Sequence, residues 1–204
     1  YHLVSKAEQI MPSFPSAVAD RFDTILHERG VIVHRGVEAT EACDGKLILS
    51  NGDHLDADET FFVTAASATP WLTESGFDLD ENGFVKVNDT LELLSHPNIF
   101  AAGDVAAVVN HPRPKAGVFA VRQGKPLANN LRRVLLQKKP KSFSPQSSFL
   151  SLISSGDKYA VASKGIYTVS GKLLWWWKDW IDRRFMRKFS VLPIMKDDKR
   201  PPIN

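Results

Sequence analysis

A chain of 204 residues that is 43% apolar has enough material for one large domain or two small ones, each with a core. Its one cysteine, Cys43, excludes an internal disulfide, a CxxC redox pair and a cysteine-rich metal site, and is expected to pack as a small strand residue. The net charge of +3 conceals a split: residues 1–104 carry 6 basic and 18 acidic side chains, and residues 105–204 carry 20 and 5.

The chain opens on Tyr1-His2-Leu3-Val4, which reads as the inside of a strand without a lead-in. It is therefore expected to be the C-terminal part of a longer protein, whose missing N-terminal half is its first partner. No signal peptide is recognised, and no apolar run approaches the ~20 residues of a membrane span. A cytoplasmic location is expected.

Pro12-Ser13-Phe14-Pro15 predicts a turn and Ser16 a helix cap, with Val18, Phe22, Ile25 and Leu26 recurring at helical spacing until Gly30. Val31–His34 is a β-branched strand, so strand, helix and strand follow one another as in a parallel α/β layer. The period then changes. Thr40–Cys43, Lys46–Ser50 and His54–Asp58 are short strands separated by Asp44-Gly45 and Asn51-Gly52-Asp53, which are hairpin turns. Thr60–Thr64 follows as an apolar strand.

Residues 68–83 form a connection punctuated by Pro70, Gly76 and Gly83, and Phe84–Asn88 alternates as a strand. Ile99–Ala102 reads as a fully buried strand that ends in Gly103-Asp104. One helix is predicted from Gly117 to Gln137, kinked or cut short at Gly124 and Pro126. Lys138–Ser148 is a polar linker, Phe149–Ile153 and Tyr159–Ala162 are strands joined across Ser155-Gly156-Asp157, and Leu173–Phe189 is a last helix before a Pro-rich charged tail.

No GxG, HExxH or nucleophile elbow is present, and the six histidines lack metal-ligand spacing, so no metal site is assigned. Asp104 is the candidate that remains. A carboxylate at a strand end, with glycine before it to permit close approach, suits the hydroxyls of a polyol. Close by, Lys115-Ala116-Gly117 opens a helix, whose free amides and dipole end stabilise negative charge.

The segments HPNIFAAGDVA and RPKAGVFAVRQGKPLANNL resemble the C-terminal FAD-binding signature of the pyridine nucleotide-disulfide oxidoreductase superfamily. In that family the Asp of the GD pair binds the ribityl chain of the flavin, and the next helix points its N-terminus at the flavin C2 carbonyl. Residues 1–66 resemble the latter half of the family's NAD(P) domain, with Thr64-Ala65-Ala66-Ser67 at its closing ATG-like turn. LISSGDKYAVASKG and SGKLLWWWKDWIDRRF are similar to the C-terminal region of type II NADH:quinone oxidoreductases, and above all to the NADH dehydrogenase-like flavoprotein found fused to or beside selenide, water dikinase.

The resemblance implies an α/β, partial two-dinucleotide-domain (Rossmann-like) flavoprotein. It would hold the C-terminal half of an NAD(P)-binding domain (1–68), the C-terminal segment of an FAD-binding domain (69–140) and a C-terminal domain with a Trp-rich helix (141–204). The implied cofactor is FAD, the co-substrate NADH or NADPH, the electron acceptor a quinone, and selenide, water dikinase a partner. The FAD residues carried over are Gly103, Asp104, Val105, Lys115, Ala116 and Gly117. Ser5 and Lys6 stand where the family usually has a Glu on the adenosine ribose, and a cation there leans toward a 2′-phosphate. No catalytic acid or base is assigned, because hydride transfer asks only alignment and electrostatics of the protein. An alternative is a non-catalytic, degenerate flavoprotein module.

Nine basic and no acidic residues between Pro112 and Lys141 suit an anionic ligand or membrane face, or simply attraction to the acidic half. In the last helix Leu173, Leu174, Trp177, Trp180, Ile181 and Phe185 share a face on the helical wheel, with Arg184 and Lys188 placed to snorkel. Docking on an anionic membrane and burial of the tryptophans in a core both fit that pattern. Nucleic acid is not an expected partner, since no recognised module surrounds the basic residues.

Overall fold

The computed structural model describes residues 1–64 and 66–190. The middle of the expected Thr64–Ser67 turn, at Ala65, and the tail from residue 191 lie outside the described residues. The chain divides into two compact units, Tyr1–Thr60 with the segment from Leu150 onward, and Phe61–Phe149. The fold is α/β.

In the first unit, β1 (His2–Ser5) and β2 (Ile32–Arg35) pair in parallel, from His2 opposite Ile32 to Ser5 opposite Arg35, and α1 (Ser16–Glu28) makes the crossover. Ser16 is not the cap: it is the first helical residue, Pro15 holds the N-cap position, and no side chain caps this end. The preceding turn, closed by Phe14 N–H on Met11 O at 2.9 Å, delivers a proline whose fixed φ already faces the helix. Gly30, at φ 69°, ends the helix in the left-handed conformation, and the Gly30 and Val31 amides return to His27 O and Leu26 O at 2.9 and 3.0 Å.

The meander follows as β3 (Ala39–Cys43), β4 (Lys46–Leu49) and β5 (His54–Asp56), antiparallel in chain order. Asp44 and Gly45 both have positive φ, which makes their tight turn of the primed kind that matches strand twist. Cys43, expected to be packed, is exposed at the open end of β3. The only buried side chains of the meander are Leu47 and Leu49 on β4, so an edge strand leaves the thiol nothing to pack on.

A second antiparallel sheet contains β8 (Ser151–Gly156), β9 (Tyr159–Lys164) and β10 (Tyr167–Gly171), with β9 in the centre, and the last strand was not anticipated. The first hairpin turns on Asp157 and Lys158, both at positive φ, one residue beyond the glycine that signals it. Val18 and Ile25 of α1 pack on Val161 of β9, with Phe14, Phe22 and Ile153 around them. Arg29 pairs with Asp157 at 2.9 Å, and Arg21 donates to the Tyr159 hydroxyl at 2.6 Å.

Helix α4 (Lys172–Ser190) packs on this sheet with Leu174, Trp175, Ile181 and Phe185 half-buried. The expected apolar face splits. Leu173, Trp177 and Trp180 of that face are exposed, whereas Trp175, which is not on it, is half-buried. The sheet is narrow, so it covers a strip of the helix and leaves the rest of a broad aromatic surface in water.

The second unit starts with Phe61, Phe62 and Val63 in irregular backbone that joins no sheet among the described residues, with all three side chains exposed. This corrects the expected Thr60–Thr64 strand: apolar β-branched composition makes a strand only where a neighbour accepts its backbone groups. The connection that follows contains a short helix, α2 (Trp71–Glu74), whose Leu72 is buried. Strands β6 (Val85–Val87) and β7 (Ala106–Val108) pair in parallel, and Leu72, Val85, Val87, Leu91, Leu93, Ala106 and Val108 form the core of the unit.

Ile99–Ala102 is not a buried strand either. Phe100 makes a single bridge to Glu92, the Leu93 amide bonds Ile99 O at 2.9 Å, and Ile99 is exposed. The segment Leu91–Leu93 takes these hydrogen bonds through isolated bridges rather than a regular strand. Helix α3 (Gly117–Leu135) runs on through Pro126, so of the two expected outcomes the helix is not cut short there. Phe119 and Gln123 before the proline and Asn130 after it are all buried, so both halves are held from the same side.

The core of the second unit closes on Leu72, which is 1% exposed. Leu72→Ala should lower stability by about 2–5 kcal/mol in urea denaturation, and a change below about 0.5 kcal/mol would show that α2 is not anchored there.

Candidate functional site

A cleft of about 430 Å3 opens in the second unit between the segment before β6, the start of β7 and the first turns of α3. Its volume is that of an ordinary ligand site. Asp80, Phe84, Gly103, Asp104, Lys115 and Gln123 are among the residues that line it.

The turn that carries Asp104 is a single 3₁₀ turn, Gly103–Val105, entered from Ala102 in extended conformation. Gly103 has φ +79°, a conformation that a residue with a Cβ adopts only at a cost. Asp104 therefore sits just before β7, and not at the end of the strand expected over Ile99–Ala102. Its carboxylate is exposed on the cleft and makes no hydrogen bond or ion pair with any described residue.

What holds that turn is Gln123. Its side chain is buried, and its Oε1 accepts the Gly103 N–H at 2.5 Å, which ties the turn to the second turn of α3. Sequence reading passed over Gln123 as a structural group. The available signal was its place: a glutamine four residues after Phe119, on the buried face of an amphipathic helix, calls for a polar partner.

Helix α3 opens with Ala116 at the N-cap position in extended conformation, and no side chain caps it. The amides of Phe119 and Ala120 turn back to Ala116 O at 2.9 and 3.2 Å. Those of Gly117 and Val118 are left to whatever occupies the helix end. Just before it, the Lys115 ammonium donates to Ala106 O at 2.8 Å and lies 4.0 Å from the centre of the Phe84 ring. Burial pushes its pKa below that of an ordinary lysine, and the charges of Asp80 and Asp104 pull the other way.

Of the residues singled out in sequence, Gly103, Asp104, Lys115 and Ala116 line this one cleft. Val105 is exposed beside it and Gly117 begins the helix, neither lining the cleft. Ser5 and Lys6 belong to the other unit, at the carboxyl end of the β1–β2 pair. There the Lys6 ammonium pairs with Glu38 at 2.9 Å, both side chains being exposed, and the hydrogen bond to Glu38 raises the pKa of the lysine. The cation expected to accept a phosphate already has a carboxylate beside it. Among the described residues, no cluster of three or more His, Cys, Asp and Glu side chains could hold a metal ion.

The segment after α3 forms another wall of the cleft through Pro145. It is laced down by Asn130, 1% exposed, whose amide donates to Thr90 O and Lys141 O at 2.9 and 2.8 Å while its Oδ1 accepts the Lys141 N–H at 2.8 Å. Arg113 and Arg122 both bond Gln146. The polar linker is thus an ordered strap.

The family described as pyridine nucleotide-disulphide oxidoreductase matches residues 1–124 of the chain. A probable NADH dehydrogenase of Dictyostelium discoideum is 25% identical over 173 residues, covering 83% of this chain and 38% of that protein. The type II NADH:quinone oxidoreductase of Haemophilus influenzae is 27% identical over 185 residues, covering 83% and 40%. The chain thus spans about two-fifths of the length of these curated relatives. Among solved structures, an FAD-dependent pyridine nucleotide-disulphide oxidoreductase from Desulfovibrio vulgaris superposes with a TM-score of 0.64 at 25% identity, over 80% of this chain and 42% of that one. The sulfide:quinone oxidoreductase of Aquifex aeolicus shares the fold, with a TM-score of 0.72 at 18% identity over 92% of this chain and 49% of that one.

The bond between Gly103 and Gln123 yields a direct test. Gln123→Leu leaves a donor unsatisfied, so it should cost about 1–3 kcal/mol in thermal or urea unfolding and speed hydrogen exchange of the Gly103 amide. Unchanged exchange at Gly103 would contradict the tie.

Proposed function

The chain belongs to the pyridine nucleotide-disulphide oxidoreductase family, and on that premise we propose that it supplies the C-terminal part of an FAD-dependent NAD(P)H oxidoreductase. The carrying observation is Asp104: a carboxylate with no described protein partner, raised on a left-handed glycine turn beside the open N-terminus of α3. Its relatives include a probable NADH dehydrogenase and a type II NADH:quinone oxidoreductase, which supports NADH as electron donor and a quinone as acceptor.

The residues of the cleft fit FAD. An acceptor-only carboxylate suits the hydroxyls of a ribityl chain, and Gly103 lets that chain approach the backbone. The uncapped α3 end presents amides and a positive dipole to an oxygen that gains negative charge. When bound, the flavin supplies the acceptor for hydride. The protein binds it, orients it and sets the electrostatics around it. The segment 1–68 is read as the latter half of an NAD(P) domain, 69–140 as the end of the FAD domain and 141–204 as a C-terminal domain.

The exposed aromatics of α4 favour a second property of the same protein, peripheral attachment to an anionic membrane. Trp176, Trp177 and Trp180 are exposed, Arg184 lies over the Trp180 ring at 5.4 Å, and Lys158 lies over Trp176 at 5.6 Å. Aromatic rings beside cations suit the headgroup region. Among the described residues no helix is long and apolar enough to cross a membrane.

The full-length protein containing this chain should purify yellow and bleach on addition of NADH or NADPH. Asp104→Ala should lower its FAD content by about tenfold, the loss of one or two hydrogen bonds to a charged group. Unchanged FAD content would remove Asp104 from the site, and a colourless protein that takes up no FAD would defeat the reading. In co-sedimentation with vesicles of phosphatidylglycerol and phosphatidylcholine, Trp177→Ser with Trp180→Ser should weaken binding by about tenfold or more. Equal binding would exclude α4 as the attachment surface.

A further inference from the structure

The loops that leave the carboxyl ends of β1 and β2 are joined to one another. The Val37 amide bonds Ser5 O at 3.3 Å and the Gly36 amide bonds Ala7 O at 3.4 Å, so residues 5–8 and 36–38 form one ledge at the strand ends. Open α/β sheets take their ligands outside the carboxyl ends of the strands.

Three charged side chains stand on that ledge, and two of them are carboxylates. Lys6 Nζ meets Glu38 Oε2 at 2.9 Å, whereas Glu8 makes no ion pair with any described residue. Glu8 lies against Gly36, where a Cβ would come within 2.5 Å of its Oε1. Arg35, the last residue of β2, brings no spare cation, because Asp23 of α1 already pairs with it. Glu38 is fixed in its main chain: its N–H donates to Ser50 Oγ at 3.0 Å, and its carbonyl accepts the Ser50 N–H at 2.8 Å.

NADH and NADPH differ at one place, the 2′ position of the adenosine ribose, which carries a hydroxyl in the first and a phosphate in the second. A phosphate drawn to Lys6 enters beside the carboxylate that already holds that ammonium, and Glu8 adds to the repulsion. A hydroxyl meets no such barrier. It can donate to a carboxylate, which is an acceptor only.

We propose that Glu38 is the specificity-determining residue of the nucleotide site, selecting NADH over NADPH by occupying Lys6 and by offering its carboxylate to a ribose hydroxyl. The proposal rests on the NAD(P)H oxidoreductase reading above and adds to it which nucleotide is taken and which side chain decides. Lys6, read alone, points to the opposite choice.

The test uses the full-length protein as wild type, Glu38→Gln and the double variant Glu38→Gln with Lys6→Ala, with NAD+ and NADP+ binding measured by calorimetry beside kcat/KM for NADH and NADPH. Wild type should bind NAD+ about tenfold tighter than NADP+. Glu38→Gln frees the ammonium, so it should tighten NADP+ about fivefold while NAD+ changes by about twofold or less, and the double variant should lose that gain. High salt should shrink the difference. Wild type that binds NADP+ as tightly as NAD+, or a Glu38→Gln variant with the ratio unchanged, overturns the proposal and leaves the oxidoreductase reading intact. Equal weakening of both nucleotides in Glu38→Gln assigns the side chain to holding the loop and overturns it too. A wild-type protein that takes up FAD but is reduced by neither nucleotide brings down the donor reading as well.

Discussion

The hydrogen bond from the Gly103 amide to Gln123 is the constraint on which the candidate site depends. A glycine at positive φ followed by a carboxylate has no reason to hold one direction on its own. With the amide fixed to a buried side chain of α3, the carboxylate at 104 and the helix end at 116 become parts of one rigid arrangement. The energy comes from a group with nowhere else to go, since an unbonded amide in that position would be costly.

Around that tie, charge is arranged with economy. The cleft carries the Asp104 carboxylate, which no described residue bonds, the Lys115 ammonium, held by a carbonyl and within the field of Asp80 and Asp104, and a helix end whose amides are open. None of these groups satisfies another directly, which is unusual in a half-buried setting and ordinary in a binding site. The strap held by Asn130 completes the wall, so residues that read as a linker serve to shape the site.

Much of this was legible from local rules. The α1 helix and the meander with its Asp44-Gly45 turn follow from periodicity, from glycine at left-handed positions and from short-range turn chemistry. What was not legible depended on distant partners. Phe61–Val63 has strand composition but no neighbour to pair with among the described residues, and Ile99–Ala102 spends its hydrogen bonds on the segment Leu91–Leu93. The proline in α3 does not end the helix, which buried residues hold on both sides of it, a tertiary effect invisible to propensity. Trp175 and Trp177 exchange the roles that a helical wheel assigns them, because the width of the sheet beneath decides which strip is covered. Gln123 escaped notice because a buried glutamine declares its purpose only once its partner is known. Family resemblance, in contrast, was carried by the GD segment and by the pattern of the C-terminal region.

The central claim is that Asp104 meets the ribityl chain of FAD. A crystal structure of the full-length, FAD-loaded protein measures it most directly. The account predicts an Asp104 carboxylate oxygen within hydrogen-bond distance, about 2.6–3.0 Å, of a ribityl hydroxyl. A flavin bound elsewhere, or an Asp104 side chain turned to bulk water with the ribityl chain out of reach, would contradict it.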